Sequence, residues 1–228
     1  MKLKPAAIWG TATSGNMHAG ARCSHYRLYS VWAMFLLCFR KSANIPWLFF
    51  FGTLSVASLT GGTVHGFFPD ESAFGYAFLW RTTLIAIGAM ALAAWYVGVA
   101  FLHNKPLTEW IKKAAIAQFL LFTVIILFYS QQFLVAALNY LPAAIFLLII
   151  FTSGYFKTKE SALLSGAASI VLTFVGSFVQ IAKISLHSQY FTHNALYHAI
   201  QFVALCLLFA TARRDITKRR QDGKYHQA

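Results

Sequence analysis

From residue 46 to residue 211 the sequence is a succession of apolar runs, each close to the length a helix needs to cross a bilayer, separated by short polar turns. A helix needs about 20 apolar residues to span the hydrocarbon core. Inside that core only helices and closed barrels satisfy their own backbone hydrogen bonds. Runs of this length point to an all-α integral membrane bundle. Composition agrees: of 228 residues, 58% are hydrophobic and 11% charged, far too few charges for the surface of a soluble domain of this size.

The runs cover residues 46–68, 74–102, 111–129, 133–152, 162–184 and 193–211, and a shorter one, 26–39, precedes them. The reading is a bundle of seven transmembrane helices over residues 26–212, with a mobile extension at 1–25 and a basic tail at 213–228. The first pass falls short of the usual length, so it would thin the bilayer or borrow residues from the extension. Residues 1–10 include Lys2 and Lys4 but no apolar core of signal-peptide length. The first pass is therefore expected to act as its own insertion signal.

The formal net charge is +13, but nucleic acid is not the partner this implies. The cations stand at the ends of apolar runs and in the tail, not on a soluble face. Lys105, Lys112, Lys113, Lys157, Lys159 and the tail residues Arg213, Arg214, Lys218, Arg219, Arg220 and Lys224 fall on one side of the membrane. The positive-inside rule then puts the C-terminus in the cytoplasm and, with seven passes, the N-terminus outside. Lys2, Lys4, Arg22 and Arg27 run against that bias. The expected partners are membrane lipids, with anionic lipid headgroups at the basic tail. Cys23, Cys38 and Cys206 have neither zinc-finger nor disulfide spacing.

Polar side chains are costly within a span, so those present mark where function is sought. Residues 185–201, S-L-H-S-Q-Y-F-T-H-N-A-L-Y-H-A-I-Q, place His187, His193 and His198 with Asn194 and Gln201 at the entrance of the last run. His65 ends the run at 46–68, on a face shared with Ser55, Ser58 and Gly62, and Asp70 and Glu71 follow it. All these residues belong to the side opposite the basic loops, as do Arg81, Asn139 and Gln180. Imidazole is the commonest metal ligand, and three protein ligands plus water is the usual catalytic zinc site. His65, His193 and His198 are the candidate metal ligands; Asp70, Ser58 and Asn194 are the candidate catalytic residues. Residues five apart on a helix diverge by about 140°, so His193 and His198 converge only if His193 lies in a non-helical entrance. Asn194, His198 and Gln201 share a face and form the expected inward stripe. A packing histidine satisfied by a carbonyl is the competing reading of His65. Arg81 is expected to snorkel outward or pair with Asp70 or Glu71, and Trp47, Tyr76 and Tyr190 are expected to be interface anchors.

T-V-H-G-F around His65 and H-N-A-L-Y-H at the last pass resemble the CREST superfamily of seven-transmembrane proteins, which includes alkaline ceramidases and progestin/adipoQ receptors. The sequence looks most like an uncharacterised bacterial branch of that group, which implies a bacterial inner-membrane location. The resemblance implies zinc as cofactor, His65 and His198 as ligands, and hydrolysis of a lipid amide or ester. The chain departs from that pattern at three points. Asn194 stands four before His198, with His193 displaced by one; Gly61 stands four before His65; and Arg81 stands in the following pass, where an Asp is the rule.

Two functions follow as expectations. One is a zinc-dependent membrane hydrolase of lipid amides or esters. The other is a non-enzymatic membrane protein, a lipid or small-molecule sensor or a structural one, in which the polar cluster holds helices together. A transporter ranks third, because paired Gly/Pro-interrupted helices and internal repeats are missing from the sequence.

Overall fold

The computed structural model describes residues 44–68, 70–187 and 192–225. The described residues form six helices and no strand: α1 (Ile45–Phe67), α2 (Phe74–Val99), α3 (Lys105–Phe128), α4 (Phe133–Thr158), α5 (Ser161–Ile181) and α6 (His193–Tyr225). All six are long and apolar enough to cross a membrane, so the chain is an all-α integral membrane protein. The seventh expected pass, at residues 26–39, and the extension before it lie outside the described residues.

Helix starts follow local chemistry. Asn104 caps α3, its side-chain oxygen accepting from the Leu107 N–H at 3.1 Å, and Pro106 sits in the first turn. This cap sets the start of α3 six residues before the apolar run begins at 111. The last helix also outruns its apolar stretch. The segment from Arg213 to Asp222 contains no Gly or Pro, and Asp215 with Arg219 forms an i,i+4 ion pair, so the basic tail continues α6 as a helix to Tyr225.

The helices run up and down, which gathers most of the described lysines and arginines at one end of the bundle and His65, His187, His193 and His198 at the other, with His103 at the basic end and Arg81 and Lys183 at the histidine end. Sequential helices pack on each other, except that α3 and α4 touch sparsely while both lean on α2. The main core lies toward the basic end. Trp47, Phe50, Phe51 and Leu54 of α1 meet Ala93, Ala94 and Val97 of α2 there, with Leu147 and Phe151 of α4, Ile170 of α5 and Leu208 and Ala212 of α6. A second core, Leu84, Phe122, Ile126 and Ala136, joins α2, α3 and α4. Trp47 is only 1% exposed, so it is a core residue and not an interface anchor. Its ring stacks on Phe51, and Phe51 meets Phe209 of α6 edge-on. Close approach of helices rests on small residues. A Cβ on Gly98 would lie 2.3 Å from Phe146, and one on Gly88 2.4 Å from Phe122.

Candidate functional site

The histidine end is built from the last turn of α1, the α1–α2 turn and the first turns of α6. Backbone geometry puts His65 in the last turn of α1; its side chain, like that of Asn194, is outside the described set. Ser58 is half-buried on α1. Asp70 is exposed and turned onto its own loop, where Oδ1 accepts from the Ser72 N–H at 2.9 Å and the Ser72 hydroxyl at 2.6 Å. Those bonds, the hydroxyl's first, hold its carboxyl below the ordinary value. Such a carboxylate is a weakened proton acceptor.

His193 is the first residue of α6, and its N–H donates to Ser185 Oγ at 3.0 Å. Thr192 precedes the helix, and its carbonyl accepts from the Leu196 N–H. Every residue from His193 to His198 is helical, so the two rings leave the axis in directions about 140° apart. His198 is half-buried, with its ring 5.0 Å from that of Tyr197. Among the described residues no group of three or more His, Cys, Asp or Glu is close enough to share a metal ion.

The expected inward stripe is resolved at Gln201. This side chain is 6% exposed and faces α5, its Nε2 donating to the Thr173 carbonyl at 3.4 Å. It packs over Gly176, where an added Cβ would meet Gln201 Nε2 and Ile200 at 3.3 Å and Tyr197 at 3.5 Å. Gln201 thus seals the α5–α6 contact.

A polar chain that the motif reading passed over lies deeper, across α2, α3 and α4. Trp95 Nε1 donates to Gln118 Oε1 at 3.1 Å, and Gln118 Nε2 donates to the Asn139 backbone oxygen at 2.6 Å and to its Oδ1 at 3.0 Å. Pro142 removes the helical donor of the neighbouring Leu138 carbonyl; the bond from Gln118 goes to Asn139 itself. A lone glutamine inside an apolar run was the available signal. Closer to the histidine end, the hydroxyls of Thr60 and Thr83 join α1 to α2 at 2.8 Å. Arg81 pairs with the α3–α4 turn and not with Asp70 or Glu71: with the Gln131 amide oriented oxygen-first, it accepts from Arg81 Nε and Nη2 at 3.0 and 2.9 Å.

The basic end holds a second missed cluster. Asp215 Oδ2 accepts from Trp47 Nε1 at 2.9 Å and from Asn44 Nδ2 at 3.3 Å, while Oδ1 accepts from Arg219 Nε at 2.9 Å. Arg219 Nη2 then donates to the Ala100 carbonyl at 2.9 Å, and its guanidinium lies over Phe101. One carboxylate joins the beginning of α1, the end of α2 and the far part of α6.

A family model matches residues 17–217, most of the chain. The chain belongs to DUF6962, a family of unknown function. No curated protein and no solved structure matches it.

Proposed function

We propose that this is a non-catalytic integral membrane protein, a lipid or small-molecule sensor or a structural one, whose polar side chains serve to join helices. The observation that carries this reading is Gln201. It is the buried member of the expected inward stripe, and it is bound to the Thr173 carbonyl of α5. The links Trp95–Gln118–Asn139 and Thr60–Thr83 repeat that use between other helix pairs. Gln201→Leu tests it. A helix-joining role expects a loss of about 1 kcal/mol in unfolding free energy, the scale of an interhelical hydrogen bond in a membrane. Unchanged or increased stability would mean that this glutamine is kept for something other than packing.

The second reading is a zinc-dependent hydrolase of lipid amides or esters related to the CREST superfamily, with His65, His193 and His198 as ligands and Asp70, Ser58 and Asn194 assisting. What favours it is that all three histidines stand at one end of the helices, on α1 and α6. The two readings part on chelation, because a bound metal stabilises the folded state it binds. A zinc chelator should leave the melting temperature of a helix-joining bundle unchanged and lower that of a zinc protein.

A further inference from the structure

The basic end is not uniformly basic, because its carboxylates are already committed. Glu109 pairs with Lys112 and Asp215 with Arg219 within their helices, and Glu160 at the α4–α5 turn pairs with Lys218 of α6. Among the described side chains at this end, Lys105 and Lys113 of α3, Lys157 in the last turn of α4, Lys159 at the α4–α5 turn and Arg213 and Arg214 on α6 are exposed and without a carboxylate partner, and the last four flank the α4–α5 turn and α6.

Their placement is set by two contacts that α6 makes, one with the α4–α5 turn and one with the first turn of α5. Thr211 Oγ1 donates to the Ala162 carbonyl at 2.7 Å, and Lys218 reaches Glu160. Successive helical residues are about 100° apart, so Arg214 stands about 40° around α6 from Lys218 and one turn nearer the apolar core. It therefore borders the end of α4 and the turn after it, which carry Lys157 and Lys159. Lys159 has left-handed backbone geometry, φ 58°, and its ammonium lies over the rings of Tyr155 and Phe156. Arg213 and Arg214 directly follow Ala212, the last core residue before them, inside the stretch able to span the membrane. That is headgroup depth.

We propose that the α4–α5 turn and the adjoining face of α6 bind the phosphate of an anionic phospholipid, with Arg214, Lys159 and Lys157 as the cations and Arg213 flanking them. Among the described side chains Glu160 is the carboxylate at this site, and Lys218 neutralises it. Lys218 and Arg219 of the basic segment are turned to internal partners and hold the site's shape. The assignment does not depend on whether the histidine end binds a metal.

The test uses the full chain in detergent, titrated with phosphatidylglycerol or phosphatidylcholine of the same acyl chains and read by native mass spectrometry. Wild type should retain one phosphatidylglycerol in preference to phosphatidylcholine. Each cation near the surface is worth about a fivefold change, so Arg214→Gln with Lys159→Gln should weaken phosphatidylglycerol retention by roughly 25-fold and leave phosphatidylcholine unchanged. Arg214→Lys with Lys159→Arg should keep it. Lys105→Gln with Lys113→Gln removes the same charge from α3 and should have little effect; an equal loss there would show attraction by net charge and overturn the site. Equal retention of the two lipids by wild type would overturn it as well.

Discussion

The indole of Trp47 donates to the carboxylate of Asp215 at 2.9 Å, tying the first described helix to the last. The carboxylate side chain is 11% exposed and the indole is buried. Hydrogen bonds to charged groups contribute about 1.5–3 kcal/mol. Trp47→Phe should therefore cost about 2 kcal/mol and Asp215→Ala more, because the alanine also strands the Asn44 and Arg219 donors. Arg219→Ala should cost less, since its side chain is 43% exposed and solvent screens the pair. Thermal unfolding in one detergent, read for all three variants, checks this order.

Gln118→Leu should remove both links of the Trp95–Gln118–Asn139 chain and cost about 1–2 kcal/mol. Its effect should not add to that of Asn139→Leu, because the two side chains share a bond. A double-mutant cycle in detergent unfolding measures the coupling; additive losses would mean that the two amides act independently.

Much of this bundle was legible in the sequence, and the failures have physical causes. The starts at Phe74, Phe133 and His193 coincide with the beginnings of apolar runs, where solvent preference and helix boundary agree. Hydropathy fails where a helix outlasts the bilayer. It misses the first turns of α3, which the Asn104 cap and Pro106 announce, and the extension of α6, which the i,i+4 pair Asp215–Arg219 announces. An acid in a basic tail looks like charge balance, so Asp215 carries no local signal of its role. Its link to Trp47, 168 positions away, is not written locally. The histidine motif was legible as a list of residues, but the direction of Gln201 depends on which neighbour α6 packs against.

Glycine positions separate tight contacts from ordinary ones. Gly98→Ala puts a methyl group 2.3 Å from Phe146, whose ring packs on Trp95 at 4.8 Å between centroids and has limited room to retreat. The cost expected for overpacking is about 1–3 kcal/mol. Gly176→Ala meets its nearest atoms at 3.3 Å and should cost clearly less. Melting temperatures of the two variants give the comparison.

Asp70 supplies the pH dependence. Its folded pKa is lowered by the Ser72 bonds, so its contribution to the α1–α2 turn is present above the ordinary value of 3.8 and lost as pH falls through the lower folded value. Ser72→Ala should move the Asp70 titration, followed by NMR, up toward 3.8. An unmoved titration would mean that Ser72 does not hold the carboxylate.

The most direct test is the metal content of the full chain purified without chelators, by elemental analysis, for wild type and His198→Ala. Side chains committed to joining helices predict no stoichiometric zinc in either protein. One zinc per chain in wild type, lost in His198→Ala, would contradict the non-catalytic reading and establish the histidine end as a metal site.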